Sequence, residues 1–184
     1  MRQGNGNMDE AEIREDRKNR NDSKNEADTR VEQCLRENGF VLLRPSGTSM
    51  RPLIKEGKAV VLLETVLEPL KKGDIILYRR FAGHPDEDGF GESKEPKATL
   101  ILHRIIDIRG RELVVCGDHQ WKETECIRRS QVLAVAKGFY HEKRYIDLYG
   151  TSRWLRLYTA IWNSSKTVRR LCLGILRILK LDEK

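Results

Sequence analysis

A mainly β domain, a partly closed sheet or barrel, is the fold this sequence predicts, with a polar leader before it and amphipathic helices after it. Three observations predict it. Short apolar runs of β type recur from Phe40 to Ala136, Gly-bearing turn signals separate them, and the apolar period switches to a helical one only near the two ends. The chain has 184 residues, which suits one domain with extensions better than two full domains.

Residues 1–28 are almost wholly Asn, Gly, Asp, Glu, Lys and Arg, a composition that cannot offset ordering entropy by burial. They are expected to be disordered. A short helix over 29–38 follows, with Val31, Cys34 and Leu35 on one face and Gly39 as its stop. The strand-like runs are 40–44, 58–64, 74–78, 99–108, 112–116 and 132–136, and Arg109-Gly110 between two of them predicts a hairpin. Residues 81–98 form a polar insertion with the composition of a loop. Residues 149–184 form a basic tail. At 100° per residue, Arg153, Arg156, Thr159 and Asn163 share one side of a first helix, opposite Trp154, Leu155, Leu157, Tyr158, Ile161 and Trp162. Asn163-Ser-Ser offers a break, after which Arg169, Arg170, Arg177 and Lys180 share one face of a second helix.

Charge narrows the partners. The formal net charge is +7, yet residues 1–30 carry seven basic and eight acidic side chains, whereas 151–184 carry eight basic and two acidic ones. The excess therefore sits in a tail rich in Trp, Leu and Ile, which predicts contact of residues 151–184 with an anionic membrane surface, or packing on the domain or on an acidic partner, rather than nucleic-acid binding. The first 38 residues do not supply the three helices of a DNA-reading helix-turn-helix domain. No apolar run reaches the ~18 residues of a spanning helix. The first thirty residues contain no signal-peptide core, so a cytoplasmic location, peripheral on the membrane face, is expected. Cys34, Cys116, Cys126 and Cys172 show no metal-ligand spacing; reduced thiols and no metal or cofactor are expected.

The segment Gly47-Thr-Ser-Met-Arg-Pro-Leu-Ile-Lys-Glu-Gly57 has the pattern of a site. A turn between two strands exposes Ser49, and neighbouring backbone amides can stabilise an oxyanion. A serine hydroxyl needs a base to become a nucleophile. Among His84, His103, His119 and His141, spacing alone does not choose; His103, in a strand, suits a satisfied structural histidine as well as a base.

Four blocks together, Gly47-Thr-Ser49-Met-Arg-Pro-Leu-Ile54, Lys72-Gly-Asp-Ile-Ile-Leu-Tyr78, Leu102-His103-Arg104-Ile-Ile106 and Cys116-Gly117-Asp118, resemble the peptidase superfamily of type I signal peptidases and LexA-type repressors. The pair His103-Arg104 resembles its branch with a histidine base, that of archaeal and endoplasmic-reticulum signal peptidases. The resemblance covers about residues 40 to 140 and makes residues 29–148 a signal-peptidase-like β domain. It implies a serine endopeptidase acting on a peptide or preprotein substrate, with Ser49 as nucleophile, His103 as general base and Asp118 as the acid that orients or supports His103. The backbone N–H of Ser49 becomes the expected oxyanion donor, and Gly73-Asp74 a structural turn. Where the histidine branch has a second Asp, this chain has Thr124, flanked by Glu123 and Glu125, either of which can take its place. Two further functions stay open: a LexA-like self-processing regulator, and a β module without catalysis that binds a membrane surface or a partner.

Overall fold

The computed structural model describes residues 10–67, 69–81, 98–120, 124–162, 164 and 166–178. A long helix, α1 (Glu10–Asn38), leads into strands β1 (Phe40–Leu43), β2 (Ala59–Thr65), β3 (Ile75–Phe81), β4 (Ala98–Arg109), β5 (Glu112–Cys116) and β6 (Glu125–Arg128). A 3₁₀ turn (Arg129–Gln131), then β7 (Val132–His141) and β8 (Arg144–Asp147), complete the β region, and helices α2 (Arg153–Trp162) and α3 (Lys166–Ile178) follow.

All eight strands join one antiparallel sheet in the order β1-β2-β7-β3-β4-β5-β6, with β8 paired to the other end of β7. The apolar runs form strands where expected, and Gly110, at φ +60°, makes the β4–β5 hairpin. Two short strands were not foreseen. Glu125–Arg128 and Arg144–Asp147 carry charges at every second or third position and become strands only because β5 and β7 offer them an edge.

The sheet is open, which corrects the barrel-like expectation. Its end strands, β1 and β6, are four residues each and do not pair with one another. Helix α1 packs on β1 instead. Short alternating runs report local strand geometry, whereas closure depends on tilt and stagger over the whole sheet.

Alternation along β3 sends Ile75 and Leu77 into one apolar cluster and Ile76 and Tyr78 into another, so the central strand is buried on both faces. The first cluster also takes Leu35 of α1 and Leu155 of α2. Both helical extensions are thus built into the core of the β domain.

The second correction concerns the leader. From Glu10 onward it is helical, so the expected helix of 29–38 is only the last third of α1; residues 1–9 lie outside the described part. Its apolar contacts come from Val31 and Leu35. Its polar side is docked by ionic contacts that an apolar period does not reveal: Glu32 grips Arg79 through both carboxylate oxygens (2.7 and 2.5 Å), and Asp28 accepts from the Leu100 N–H at 3.0 Å. Ser23 and Thr29 donate to carbonyls one turn back.

Helices α2 and α3 fall where the amphipathic pattern puts them, and no helix among the described residues is long and apolar enough to cross a membrane. Their outward faces differ from expectation. Arg169, assigned to the basic face, is 2% exposed, while Trp154, Leu157, Leu171 and Ile175 stand in solvent. Periodicity says which residues share a face, not which face the rest of the molecule covers. The polar insertion between β3 and β4 falls on residues 82–97, outside the described residues.

Candidate active site

The turn after β1 presents Ser49. Arg51 N–H donates to the Thr48 carbonyl at 3.1 Å and Ile54 N–H to the Met50 carbonyl at 3.0 Å, which coils the segment so that Met50 and Ile54 are buried and Ser49 is half-buried at its rim. His119 N–H donates to the Ser49 carbonyl at 2.8 Å, fastening the serine to the turn after β5. The fit there is close: a Cβ on Gly117 would stand 2.6 Å from Ser49 O and 3.0 Å from Ser49 Cβ. Only glycine lets the end of β5 pass so near the serine. No acceptor among the described residues takes the Ser49 N–H.

His103 reaches the same place from β4. A cavity of about 440 Å³ has Pro45, Ser46, Gly47, Ser49 and Met50 on one side and Leu100 to His103 on the other. Lys24 of α1, Arg80, Gln120, Thr124 and Glu125 complete its lining. Ser49 and His103, distant in the chain, therefore face one cleft. There is no hydrogen bond between them in this structure; the histidine is bonded elsewhere.

Its partner is Tyr78. In the β3–β4 register Ile76 lies opposite His103 and Tyr78 opposite Ile101, so Tyr78 and His103 are diagonal neighbours on one face, with ring centroids 6.1 Å apart. Tyr78 Oη lies 3.3 Å from His103 Nδ1, and the phenol donates to Glu125 Oε2 at 2.8 Å. Arg80, two residues along the same face, forms an ion pair with Glu125 and donates from Nη2 to the Tyr78 oxygen at 3.3 Å.

Burial governs the electrostatics. His103 is 5% exposed, and desolvation, aided by the Arg80 cation, lowers its pKa to about 4, so the ring is neutral near pH 7. Desolvation, with the adjoining Glu125 carboxylate, raises the Tyr78 phenol above its ordinary range and keeps it protonated. Burial alone would raise the Glu125 carboxyl, but hydrogen bonds from Arg80 and Tyr78 hold it below the usual carboxylate value.

Asp118 is placed elsewhere. Its two oxygens accept from Arg104 Nε and Nη2, each at 2.8 Å, and Tyr158 Oη donates to it at 3.0 Å. Its carbonyl accepts from Trp162 Nε1 at 2.6 Å. Adjacent strand residues point to opposite faces, so the acid that pairs with Arg104 does not bond His103. The Tyr158 and Trp162 rings stack at 4.1 Å, and the Arg104 guanidinium lies 5.7 Å from the centre of Tyr158. Asp118 thus locks α2 to the sheet without a hydrogen bond to His103, and its charge acts on the histidine through space, opposing the burial that lowers the ring's pKa. Of the two glutamates beside Thr124, Glu125 joins the histidine network, and Glu123 lies outside the described residues.

Residue patterns did not point to Tyr78, Arg80 or Lys24. Tyr78 and Arg80 enter the site through a register set across the residues 82–97, and Lys24 through a helix with little apolar signal. The Glu125 position was visible as an acid beside the expected one. Comparison of the chain with protein-family models, curated proteins and solved structures finds no significant match in any of the three.

Proposed function

We propose that the protein is a serine endopeptidase of the signal-peptidase/LexA-like superfamily, using Ser49 and His103 to hydrolyse a peptide bond in a leader or precursor peptide. The observation that carries this reading is the shared cleft: a turn-mounted serine and a buried neutral histidine line one cavity open to a substrate.

The cleft also suits an extended peptide. Among the described residues β5 pairs with β4 only from Arg104 to Arg109, so Ile101 and Leu102 have no strand partner on that edge where they border the cavity, while the Leu100 N–H is held by Asp28. A substrate segment can add there by main-chain hydrogen bonding, as exposed sheet edges commonly permit. His103 takes the Ser49 Oγ proton as the oxygen attacks the substrate carbonyl, the Ser49 N–H meets the developing oxyanion, and His103 returns the proton to the leaving amine. Water then attacks the acyl-enzyme with the same base. A depressed histidine pKa makes the protonated ring a strong acid toward the departing amine.

A β-lactam-type acylating probe should label the full-length protein once, on the peptide containing Ser49, with no label in Ser49→Ala. Labelling that persists in Ser49→Ala would remove Ser49 as the nucleophile, and a wild type that neither labels nor cleaves any of a library of extended peptides would favour the non-catalytic binding module instead.

The tail supports a membrane-surface location for this activity. Helices α2 and α3 contain no acidic side chain, and Arg153, Arg156 and Arg170 are exposed. Beside them Trp154, Leu157, Leu171 and Ile175 are exposed, and an apolar groove of about 420 Å³ opens between Pro52, Leu53, Trp154, Ile161, Cys172 and Ile175. Cationic and apolar groups together are what an anionic bilayer interface binds. The protein should sediment with phosphatidylglycerol-containing vesicles, more weakly as salt rises, and Leu157→Glu/Leu171→Glu should weaken it at least about tenfold. Equal binding to purely zwitterionic vesicles would remove the electrostatic part of this proposal.

A further inference from the structure

Which ring nitrogen of His103 acts as the base depends on where its one proton sits, because neutral imidazole has one N–H and one lone pair. We infer that Tyr78, held by Glu125 and Arg80, is a positioning residue that keeps His103 in its Nδ1–H form and leaves the Nε2 lone pair for the serine proton. The inference rests on the Ser49/His103 reading above and adds to it the residues that orient the base.

The argument is one of hydrogen-bond valence. A phenol has one proton and two acceptor positions. Glu125, ionised against Arg80, can only accept, so the Tyr78 proton goes to Glu125 Oε2 at 2.8 Å. Arg80 Nη2 can only donate, and it fills one acceptor position of the Tyr78 oxygen at 3.3 Å. The other faces His103 Nδ1, also at 3.3 Å. Two lone pairs do not bond, so Nδ1 carries the hydrogen.

Both rings are almost fully buried, Tyr78 at 0% and His103 at 5% exposure, so bulk water does not compete for this contact. As Ser49 Oγ bonds to the substrate carbonyl carbon, its proton passes to Nε2, and the imidazolium keeps its Nδ1–H on the Tyr78 oxygen. When the C–N bond breaks, the same Nε2 proton goes to the leaving amine and the ring returns to its Nδ1–H form. Glu125 lies one hydrogen bond further out and steadies the cation without taking its proton.

The test is the tautomer itself, read by long-range ¹H–¹⁵N correlation on the ¹⁵N-labelled full chain at pH 7.5, with His103→Gln to assign the signals. Wild type should show His103 as Nδ1–H. Tyr78→Phe should shift the ring predominantly to Nε2–H and lower kcat about 10–100-fold, with KM changed less than about twofold. Glu125→Gln, whose amide can donate to the phenol and turn its proton toward His103, should move the tautomer the same way; it serves as the second variant should Tyr78→Phe fold poorly. A wild-type His103 found as Nε2–H, or a tautomer unchanged in both variants, would overturn the inference while leaving the peptidase reading standing. The expected tautomer in a wild type that never labels would instead overturn the peptidase reading, and the catalytic half of this inference with it.

Discussion

Replacing Asp118 with alanine should lower the unfolding free energy by about 3–5 kcal/mol, because it leaves the buried Arg104 guanidinium facing an empty space where its counter-charge stood. Arg104 and Asp118 are 2% and 1% exposed and meet through two 2.8 Å hydrogen bonds, so solvent screens the pair very little. The loss extends beyond the pair, since Tyr158 of α2 also loses its acceptor, while Trp162 keeps its bond to the backbone carbonyl. For a chain of this size, each kcal/mol moves Tm by about 2–4 °C, so thermal unfolding should fall by roughly 6–20 °C. Arg104→Met/Asp118→Leu should recover most of the loss, because the cost lies in the unpaired charge rather than in the missing contact. A loss below about 1 kcal/mol in Asp118→Ala would show that the pair is not buried as described.

The second large effect falls on catalysis. With Ser49 and His103 as the proposed dyad, Ser49→Ala and His103→Ala should each reduce cleavage at least about 10⁴-fold, and the double variant should be no worse than either single one, since a nucleophile and its base act as a unit. Multiplying losses would show that the two residues work independently and would sink the dyad. The pH profile carries a second signature. With a folded pKa of about 4, His103 stays neutral and able to accept a proton down to about pH 5, and kcat/KM should fall about tenfold per unit only below pH 4. A limb near the ordinary histidine value, about 6.5, would contradict the burial that lowers it.

Stability has the opposite side of the same linkage. The unfolded histidine takes a proton near pH 6.5 and the folded one only near 4, so the unfolded state binds more protons between those values. Stability is therefore full above pH 6.5 and declines by about 3 kcal/mol as pH falls toward 4. His103→Gln should flatten that part of the curve.

Much of the fold was legible from residue order because strands and helices announce themselves through local period. Phe40–Leu43, Glu112–Cys116 and the Gly110 hairpin depend on neighbours within a few positions, and so do the spans of α2 and α3. Residues 10–28 of α1 misled for the converse reason. Their ordering relies on Asp28 and Glu32 meeting β4 and β3, contacts between residues far apart in the chain.

For the site, the sequence by itself determined the chemical types: a serine on a turn bounded by Gly47 and Pro52, a histidine in a strand, an acid after Gly117, and a basic apolar tail. Tertiary structure alone decided which of them meet. The β3–β4 register put Tyr78 beside His103, the two-residue alternation of β4 turned Arg104 the other way to pair with Asp118 in the turn after β5, and Glu125 joined the histidine network where the resemblance had offered Asp118. The physical reason is that a strand's side-chain period is local, whereas register and facing are properties of the whole sheet.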